Sequence, residues 1–291
     1  MIVQILIAIV IVIAVAAIGL TCYFVSENKK FRVTTYQIED SKIPEAFRGT
    51  RFVFLTDLHN WVYGEENEPL LQAIEEADPD YILIGGDMIV KGPEFNGSVA
   101  IDFIMQLVTR YPVFYSFGNH ELRISKLPET KDTSYQEFIH TLKSVGVTFL
   151  LDDQVTLERE GERIDIIGLN LSEKHYRKFS KNALTAKEIE SHIGAARKED
   201  YTILLAHNPR YFEEYVDWGA NLVLSGHVHG GMIVLPWIGG VISTQGTLFP
   251  KYDFGEFKYK SSKMIVSRGL GNHTIKIRFN NRAELAVITL M

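Results

Sequence analysis

Short apolar runs of three to six residues recur along the chain, and each ends in a cluster of polar residues. A run of this kind, bounded by polar loops, is typical of a buried strand. The first three runs are each followed by a loop and then by a segment with apolar residues at helical spacing. This alternation predicts an α/β domain built from repeated strand–loop–helix units. The runs cover residues 52–55, 81–84, 113–117, 201–206 and 222–224.

Caps and shorter apolar runs predict the remaining elements. Ser98 is the expected N-cap of one helix, and Thr185 with Glu188 forms a capping box that begins another. Asn280 and Asn281 separate the last two strands, which we expect to form a hairpin. Residues 232–262 predict one strand and then long loops. Helices are predicted over residues 69–77, 99–110, 134–144 and 185–197, and further strands over 147–151, 155–157, 164–169, 264–267, 275–279 and 285–290.

The N-terminal segment has the length and composition of a membrane span. No charged side chain occurs before residue 27, and residues 2–25 are almost wholly apolar. This exceeds the roughly 20 residues that cross a bilayer as a helix. We therefore predict a single-pass anchor in the cell membrane, while cleavage as a signal peptide after Ala16 stays open. Lys29 and Lys30 follow directly, and the positive-inside rule then predicts a cytoplasmic domain.

These patterns divide the chain into three parts. Residues 1–26 are the predicted transmembrane anchor, 27–50 a juxtamembrane lead-in, and 51–291 the catalytic domain. The lead-in is expected to carry an edge strand over 33–38. A domain of roughly 240 residues is large enough to bury a full apolar core.

Composition limits the chemistry and the partners. The chain has 291 residues, of which 46% are hydrophobic and 23% charged, and its formal net charge is −6. Its basic residues form no stripe, which argues against a nucleic acid partner. The single cysteine, Cys22, lies within the apolar N-terminal segment. Any metal must therefore be held by His, Asp, Glu or Asn.

Potential metal ligands follow the five apolar runs. In sheets of this kind, ligands collect beyond the carboxyl ends of the strands. His227 and His229 are two residues apart, so in an extended segment both side chains face one centre. An isolated His-x-His is explained equally well by surface histidines in a turn, whereas five such motifs together favour a site. The motifs are Asp57 and His59, Asp87, Asn119 and His120, His207, and His227 and His229.

Four histidines lie outside these motifs. His140 and His192 fall within predicted helices and are expected to be structural or to face solvent. His175 lies in a polar loop. His273 follows a glycine-containing stretch and has no partner that the sequence identifies.

The motifs, in this order, resemble the calcineurin-like metallophosphoesterase family over roughly residues 50–291. Five ordered motifs are far more specific than any one of them. Two positions depart from the common pattern, since Glu121 stands where the family often has Asp and Val228 where Thr is common. The matching motifs are Asp57-x-His59, Gly86-Asp87, Gly118-Asn119-His120-Glu121, His207 and Gly226-His227-x-His229.

The resemblance implies a fold and a dinuclear site. The fold is a four-layer α/β/β/α sandwich with two mixed sheets, preceded by one N-terminal transmembrane helix. Asp87 bridges two divalent transition-metal ions, for which the ligands suit Mn²⁺ first, with Fe or Zn²⁺ as alternatives. By this resemblance the ions would supply a shared hydroxide as the nucleophile on phosphorus, His120 would orient the phosphate or protonate the leaving oxygen, and Glu121 would hold the His120 ring. The resemblance implies that Asp57, His59 and His229 hold the first ion, and that Asn119, His207 and His227 hold the second.

A narrower resemblance concerns the substrate. Residues 225–231 and 267–271 resemble the bacterial branch of membrane-anchored phosphodiesterases, some of which hydrolyse the pyrophosphate of UDP-2,3-diacylglucosamine. This implies a phosphodiesterase or pyrophosphohydrolase of lipid metabolism that acts on a small-molecule, nucleotide-sugar or lipid-linked phosphoester. Two alternatives stay open, a phosphoprotein phosphatase and a catalytically inactive membrane-bound phosphate-binding protein. The sequence does not determine the oligomeric state.

Overall fold

Two six-stranded mixed β-sheets form the centre of the computed structural model, which describes residues 1–90, 97–126, 133–178, 182–197, 199–272 and 277–291. The first sheet contains, in spatial order, β1 (Phe31–Ile38), β14 (Ala283–Leu290), β2 (Arg51–Leu55), β3 (Tyr81–Ile84), β4 (Val113–Tyr115) and β5 (Thr148–Phe149). The second contains β12 (Gly255–Tyr259), β13 (Ser262–Val266), β9 (Leu222–Ser225), β8 (Tyr201–Ala206), β7 (Glu162–Leu169) and β6 (Asp153–Arg159). A small hairpin pairs β10 (Val234–Leu235) with β11 (Gly239–Gly240).

Within each sheet the central strands run parallel to one another, so their carboxyl ends lie at one edge of that sheet. In the first sheet β2, β3, β4 and β5 are parallel, whereas β14 is antiparallel to β2. In the second sheet β7, β8, β9 and β13 are parallel and the two outer strands are antiparallel to them. The helices are α1 (Ile2–Asn28), α2 (Glu68–Ala77), α3 (Ser98–Val108), α4 (Asn119–Ser125), α5 (Thr133–Ser144), α6 (Ala186–Ile193) and α7 (Phe212–Trp218).

Alternating side chains of the central strands fill separate apolar cores. In β2, Phe52 and Phe54 join a core between the two sheets, whereas Val53 and Leu55 join a core shared with α2, α3 and α5. A third core lies between the second sheet and helices α6 and α7. Because side chains of a strand point alternately to its two faces, each sheet is covered on both sides. The predicted four-layer α/β/β/α fold with two mixed sheets is confirmed.

Helix α1 stands apart from these cores. It is 27 residues long, which corresponds to about 40 Å at 1.5 Å per residue, and it is long and apolar enough to cross a membrane. Its most apolar window is 0% buried within the protein. Strand β1 begins three residues after α1 ends and pairs with β14, so the predicted edge strand of the lead-in is present.

We expect the full-length protein to fractionate with membranes and to be released by detergent but not by high salt. The physical reason is that α1 would expose its whole apolar surface if it left the bilayer. Immunoblotting of washed membranes, with the chain length checked by mass spectrometry, measures this. Uncleaved protein in the soluble fraction would show that α1 is not an anchor.

The predicted terminal hairpin is wrong. Strand β14 pairs with β1 on one side and with β2 on the other, so neither edge is left for a strand before Asn280. Residues 275 and 276 lie outside the described part of the chain, and Phe279 forms only an isolated bridge with Ile233. Strand β14 therefore pairs with β1, a strand about 250 positions earlier in the chain, and not across the local turn signal at Asn280.

Other elements differ from their predictions for local reasons. Helix α6 ends at Ile193 instead of near residue 197, because Gly194 adopts a φ of +76° that terminates it. Gly97, not Ser98, is the N-cap of α3. The Thr185 cap is confirmed, since its hydroxyl accepts a hydrogen bond from the Glu188 N–H at 3.1 Å. Helices α4 and α7 were not predicted.

Candidate metal centre

The five polar motifs meet where the carboxyl ends of the two sheets face each other. Within the first sheet, the Asp57 N–H donates to Gly86 O at 2.9 Å. Between the sheets, the His227 N–H donates to the Asp57 carboxylate at 3.0 Å, and the His207 ring lies 2.7 Å from Gly85 O. The strands thus bring together side chains that are up to 172 positions apart in the chain, from Asp57 to His229.

Five of the predicted site residues have left-handed backbone conformations. Their φ angles range from 49° to 69°. Such a conformation costs roughly 1 kcal/mol or more for a residue with a side chain, and it persists only where the surrounding fold imposes it. The turn that each strand makes at its carboxyl end therefore aims the following side chain into the centre. The five residues are Asp57, His59, Asp87, His227 and His229.

One group of potential ligands consists of Asp57, His59 and His229. The Asp57 Oδ1 atom lies 3.2 Å from His229 Nε2 and 3.7 Å from His59 Nε2. The two Nε2 atoms are 3.0 Å apart. All three side chains are buried, and their ligand atoms lie within 4.8 Å of one another.

A second group consists of Asp87, His207 and His227, again with ligand atoms within 4.8 Å of one another. Asp87 Oδ2 is 3.2 Å from His207 Nε2. The same His207 nitrogen is 3.8 Å from Asp57 Oδ1, so the two groups adjoin. Asn119 begins α4 beside them and is buried.

The donor set fits divalent metal ions. Within the described part of the chain, neither Asn119 Oδ1 nor His227 Nε2 has a hydrogen-bond partner, although both atoms are buried. A buried polar atom without a partner is costly, and a metal ion removes that cost. Amide oxygen, carboxylate and imidazole are ligands for borderline divalent ions. The seven predicted ligands therefore lie together, and their individual roles stay predictions.

Charge in the centre favours a cation. Burial, and next the neighbouring His207, lowers the pKa of His227 to about 3. Burial would also lower the pKa of His207, but Asp87 and Asp57 outweigh it and raise that pKa to about 9. Burial would raise the pKa of Asp57, yet His229 and His207 hold it well below its usual range. The carboxylates are thus ionised, and a metal can take the place of the proton on His207.

A cavity of about 320 Å³ opens beside the two groups. His120 lies on its wall, with Nε2 at 4.0 Å from Asp87 Oδ2 and its ring centroid 5.0 Å from that of His59. The His120 N–H donates to Asp87 Oδ1 at 2.8 Å, which fixes the backbone next to Asn119. The ligand atoms of His59, Asp87 and His120 also lie within 4.8 Å of one another, so His120 lies between the candidate metal centre and the cavity.

Glu121 contacts groups other than the one predicted. Instead of holding the His120 ring, its carboxylate accepts hydrogen bonds from the N–H groups of Asp87 and Met88 at 2.8 and 2.9 Å. It also accepts from the Gly118 N–H at 3.1 Å and from the Tyr115 hydroxyl at 2.8 Å. Each carboxylate oxygen thus has two donors. Glu121 fixes the turn after β3 in the conformation that presents Asp87.

Replacing Glu121 by alanine should weaken both folding and metal binding. The change leaves buried N–H groups without an acceptor, at about 1–3 kcal/mol each, and we expect metal affinity to fall roughly 10–100-fold. Denaturant unfolding and metal titration measure the two effects. Tyr115→Phe is the matched control, because it removes one of the four donors and leaves the Asp87 turn bonded to Glu121. Equal metal affinities in the two variants would show that Glu121 does not position Asp87.

Three cationic side chains of the cavity were not identified from the sequence: Arg123, Lys178 and Arg278. Arg123 lies in the unpredicted helix α4. Arg278 is 2% exposed and donates to Gly271 O at 2.7 Å and to the Asn272 side chain at 3.0 Å. A helix-forming run after the Asn119 motif was the available signal for Arg123. No local pattern marks Arg278.

Of the four histidines outside the five motifs, those that the structure describes lie apart from the candidate metal centre. His175 lies in a short 3-10 helix, Glu173–Tyr176, instead of a loop, and is buried with its ring 3.1 Å from the Tyr211 hydroxyl. His192 lies 3.1 Å from Asp152, and His140 is exposed on α5. His273 falls outside the described residues.

Comparison with known proteins agrees with this geometry. The phosphodiesterase YaeI of Escherichia coli is 26% identical over 245 residues, which cover 83% of this chain and 82% of YaeI. The metallophosphoesterase YkuE of Bacillus subtilis is 26% identical over 271 residues, covering 91% of this chain and 87% of YkuE. A transmembrane protein with a metallophosphoesterase domain from Danio rerio is 23% identical over 295 residues, or 99% of this chain and 62% of that protein.

The region that matches the family contains every motif of the candidate metal centre. The sequence model of the calcineurin-like phosphoesterase family matches residues 50–231, which contain all eight predicted site residues from Asp57 to His229. This match spans more than half of the chain. The chain therefore belongs to the calcineurin-like phosphoesterase family of metal-dependent phosphoester hydrolases.

Proposed function

We propose that this protein is a membrane-tethered phosphodiesterase or pyrophosphohydrolase with two divalent metal ions. The observation that carries the proposal is the pair of adjoining ligand groups, joined through Asp57, His207 and Asp87. The similarity to a relative named as a phosphodiesterase supports cleavage of a diester. The substrate class that we favour is a lipid-linked or nucleotide-sugar phosphoester.

The positions of the ligand atoms suggest which residues would hold each of the two ions. Asp57, His59 and His229 would hold one ion, and Asn119, His207 and His227 the other, with Asp87 between them. Mn²⁺ suits this mixture of carboxylate, amide and imidazole, as do Fe and Zn²⁺. When bound, such a pair supplies an activated water and neutralises charge on the phosphoryl oxygens.

The other residues of the cavity complete the mechanism. His120 lies beside Asp87 and within reach of a phosphoryl group in the cavity, so it can orient the phosphate and give a proton to the leaving oxygen. Arg123 and Lys178 line the same cavity and attract the anionic substrate. The Tyr176 ring packs edge-on against His227 at 5.2 Å and restrains its orientation.

Orientation in the membrane follows from the charges after α1. Lys29, Lys30 and Arg32 favour the cytoplasmic side for this end of the helix and for the domain. Protease added outside intact cells should leave the domain uncut. Its digestion under those conditions would reverse the proposed orientation.

A comparison of substrate classes tests the function. Detergent-solubilised full-length protein, loaded with Mn²⁺, is assayed with bis-(p-nitrophenyl) phosphate, a glycolipid pyrophosphate and a phosphopeptide. We expect kcat/KM for the diester or pyrophosphate to exceed that for the phosphopeptide by roughly tenfold or more. Asp87→Asn protein, purified identically, controls for contaminating phosphatases.

Two outcomes contradict the proposal in different ways. Preference for the phosphopeptide would assign the protein to the phosphoprotein phosphatases. Absence of turnover with both metal ions bound would leave a phosphate-binding protein without activity.

A further inference from the structure

Four large apolar side chains project into solvent from one hydrogen-bonded segment, residues 232–249. Trp237 is 102% exposed, and the other three are 58–63% exposed. Exposure of one apolar residue is common in soluble proteins, whereas a group that includes a fully exposed tryptophan marks a contact surface. We call this group the apolar rim. It consists of Trp237, Ile238, Leu248 and Phe249.

Backbone pairing makes the apolar rim one unit. The turn between β10 and β11 carries Trp237 and Ile238. The Val241 N–H donates to Ile233 O at 2.8 Å, and the Phe249 N–H donates to Val241 O at 2.8 Å. The two exposed tips are therefore joined through one central segment around Val241.

The same segment is joined to the C-terminal end of α1. The Val234 N–H donates to Phe279 O at 3.0 Å, and the Phe279 ring lies 5.9 Å from that of Tyr23 in α1. The last turn of α1 is held by an ion pair of 2.9 Å between Glu27 and Arg282. The rim is therefore coupled to the place where the chain would leave the bilayer.

The inner side of this segment forms part of the cavity wall. Residues 242–246 line the cavity together with Met232, Asn272 and the candidate metal ligands. One face of the segment thus lines the cavity beside the candidate metal ligands, and its tips carry the apolar rim. The segment stands between the metal centre and the root of the membrane helix.

We propose that the apolar rim inserts into the surface of the same bilayer that α1 spans, and that the cavity acts there on phosphoesters of membrane lipids. The inference of the substrate class rests on the proposed function, whereas the contact with the bilayer rests on the geometry of α1 and the rim. Tryptophan and other aromatic residues are favoured at the membrane interface. The partner is the lipid surface, because the segment that carries the rim is joined through Phe279 to the end of α1, a helix long and apolar enough to cross a membrane.

Quenching by brominated lipid tests the contact without any assay of activity. Full-length protein is reconstituted in phosphatidylcholine vesicles with or without bromine on the acyl chains close to the headgroup. We expect bromination to quench the share of emission that belongs to Trp237, one of three tryptophans. Trp237→Phe should lose that quenching. Trp218→Phe is the matched control and should retain it, because Trp218 is 8% exposed and bonded to Gly194 O at 2.8 Å.

Two results overturn the contact. Equal quenching in the parent and in Trp237→Phe shows that Trp237 is not in lipid. Emission from Trp237 that is blue-shifted but insensitive to bromine shows that a protein surface, such as a second copy of the chain, covers the rim.

A kinetic comparison tests the consequence for the substrate. Trp237→Asp should lower kcat/KM for a lipid-anchored phosphodiester in vesicles by roughly tenfold or more and leave hydrolysis of bis-(p-nitrophenyl) phosphate unchanged. Equal losses on both substrates would contradict the proposed role of the rim and leave the phosphodiesterase assignment intact. If the parent hydrolyses neither substrate, the proposed function fails while the quenching result still decides the contact.

Discussion

Replacing Asp87 by alanine should lower kcat for diester hydrolysis by roughly 10³-fold or more, which is the upper range for removing a single electrostatic contact in an active site. The loss is expected to be this large because the Asp87 carboxylate lies 3.2 Å from His207 Nε2 and also accepts a hydrogen bond from the His120 N–H at 2.8 Å. If two ions are held as proposed, removal of this carboxylate would leave them without a protein charge between them. Metal content measured by plasma mass spectrometry, together with steady-state kinetics, checks both effects.

Asp165→Ala is the matched control for this substitution. Asp165 is 1% exposed and accepts a hydrogen bond from the Thr156 hydroxyl at 2.6 Å, so this change also removes a buried charge. It lies in β7, away from the ligand groups, and should reduce stability without loss of metal. An Asp87→Ala protein that retains both ions at full occupancy would contradict the bridging role.

Replacing His120 and replacing His229 by alanine should impair hydrolysis in different ways. His229→Ala removes a predicted ligand, so metal occupancy should fall and excess metal should restore part of the rate. His120→Ala should leave occupancy near two ions and lower kcat by roughly 10²–10⁴-fold, the scale of losing a general acid. His175→Ala, which removes a buried imidazole bonded to Tyr211, should change stability but neither metal content nor the pattern of leaving-group dependence.

The leaving group distinguishes a proton donor from a residue that only binds phosphate. The defect of His120→Ala should shrink for p-nitrophenolate, a weakly basic leaving group that departs without a proton. An alkoxide leaving group should show the full defect. Identical losses with both leaving groups, or rescue of His120→Ala by added metal, would exclude His120 as the acid.

Much of the site could be predicted because its information is local. A strand buried on both faces must be apolar along its length, and β2, β3, β8 and β9 are each a short apolar run in the sequence. The polar residues that follow these strands stand out against the runs. Once the strands are parallel, their carboxyl ends meet, so eight candidate site residues could be named from the sequence.

The parts that escaped prediction depend on distant contacts. The Glu121 carboxylate binds N–H groups of Asp87 and Met88, which are 34 and 33 positions earlier in the chain. Arg278 is buried among backbone carbonyl groups, an environment that no pattern of neighbouring residues indicates. The hairpin at Asn280 was wrong for the same reason, because β14 binds both β1 and β2.

Metal titration of the full-length chain tests the central claim most directly. Protein stripped by chelation and verified to be free of metal is titrated with Mn²⁺, and bound metal and hydrolysis of bis-(p-nitrophenyl) phosphate are measured on the same samples. We predict negligible activity without metal and a rate that rises with occupancy to a plateau at two ions per chain, in keeping with the adjoining groups of candidate ligands that contain Asp57 and Asp87. Full activity in the metal-free protein, or a plateau at one ion, would contradict a two-metal phosphodiesterase.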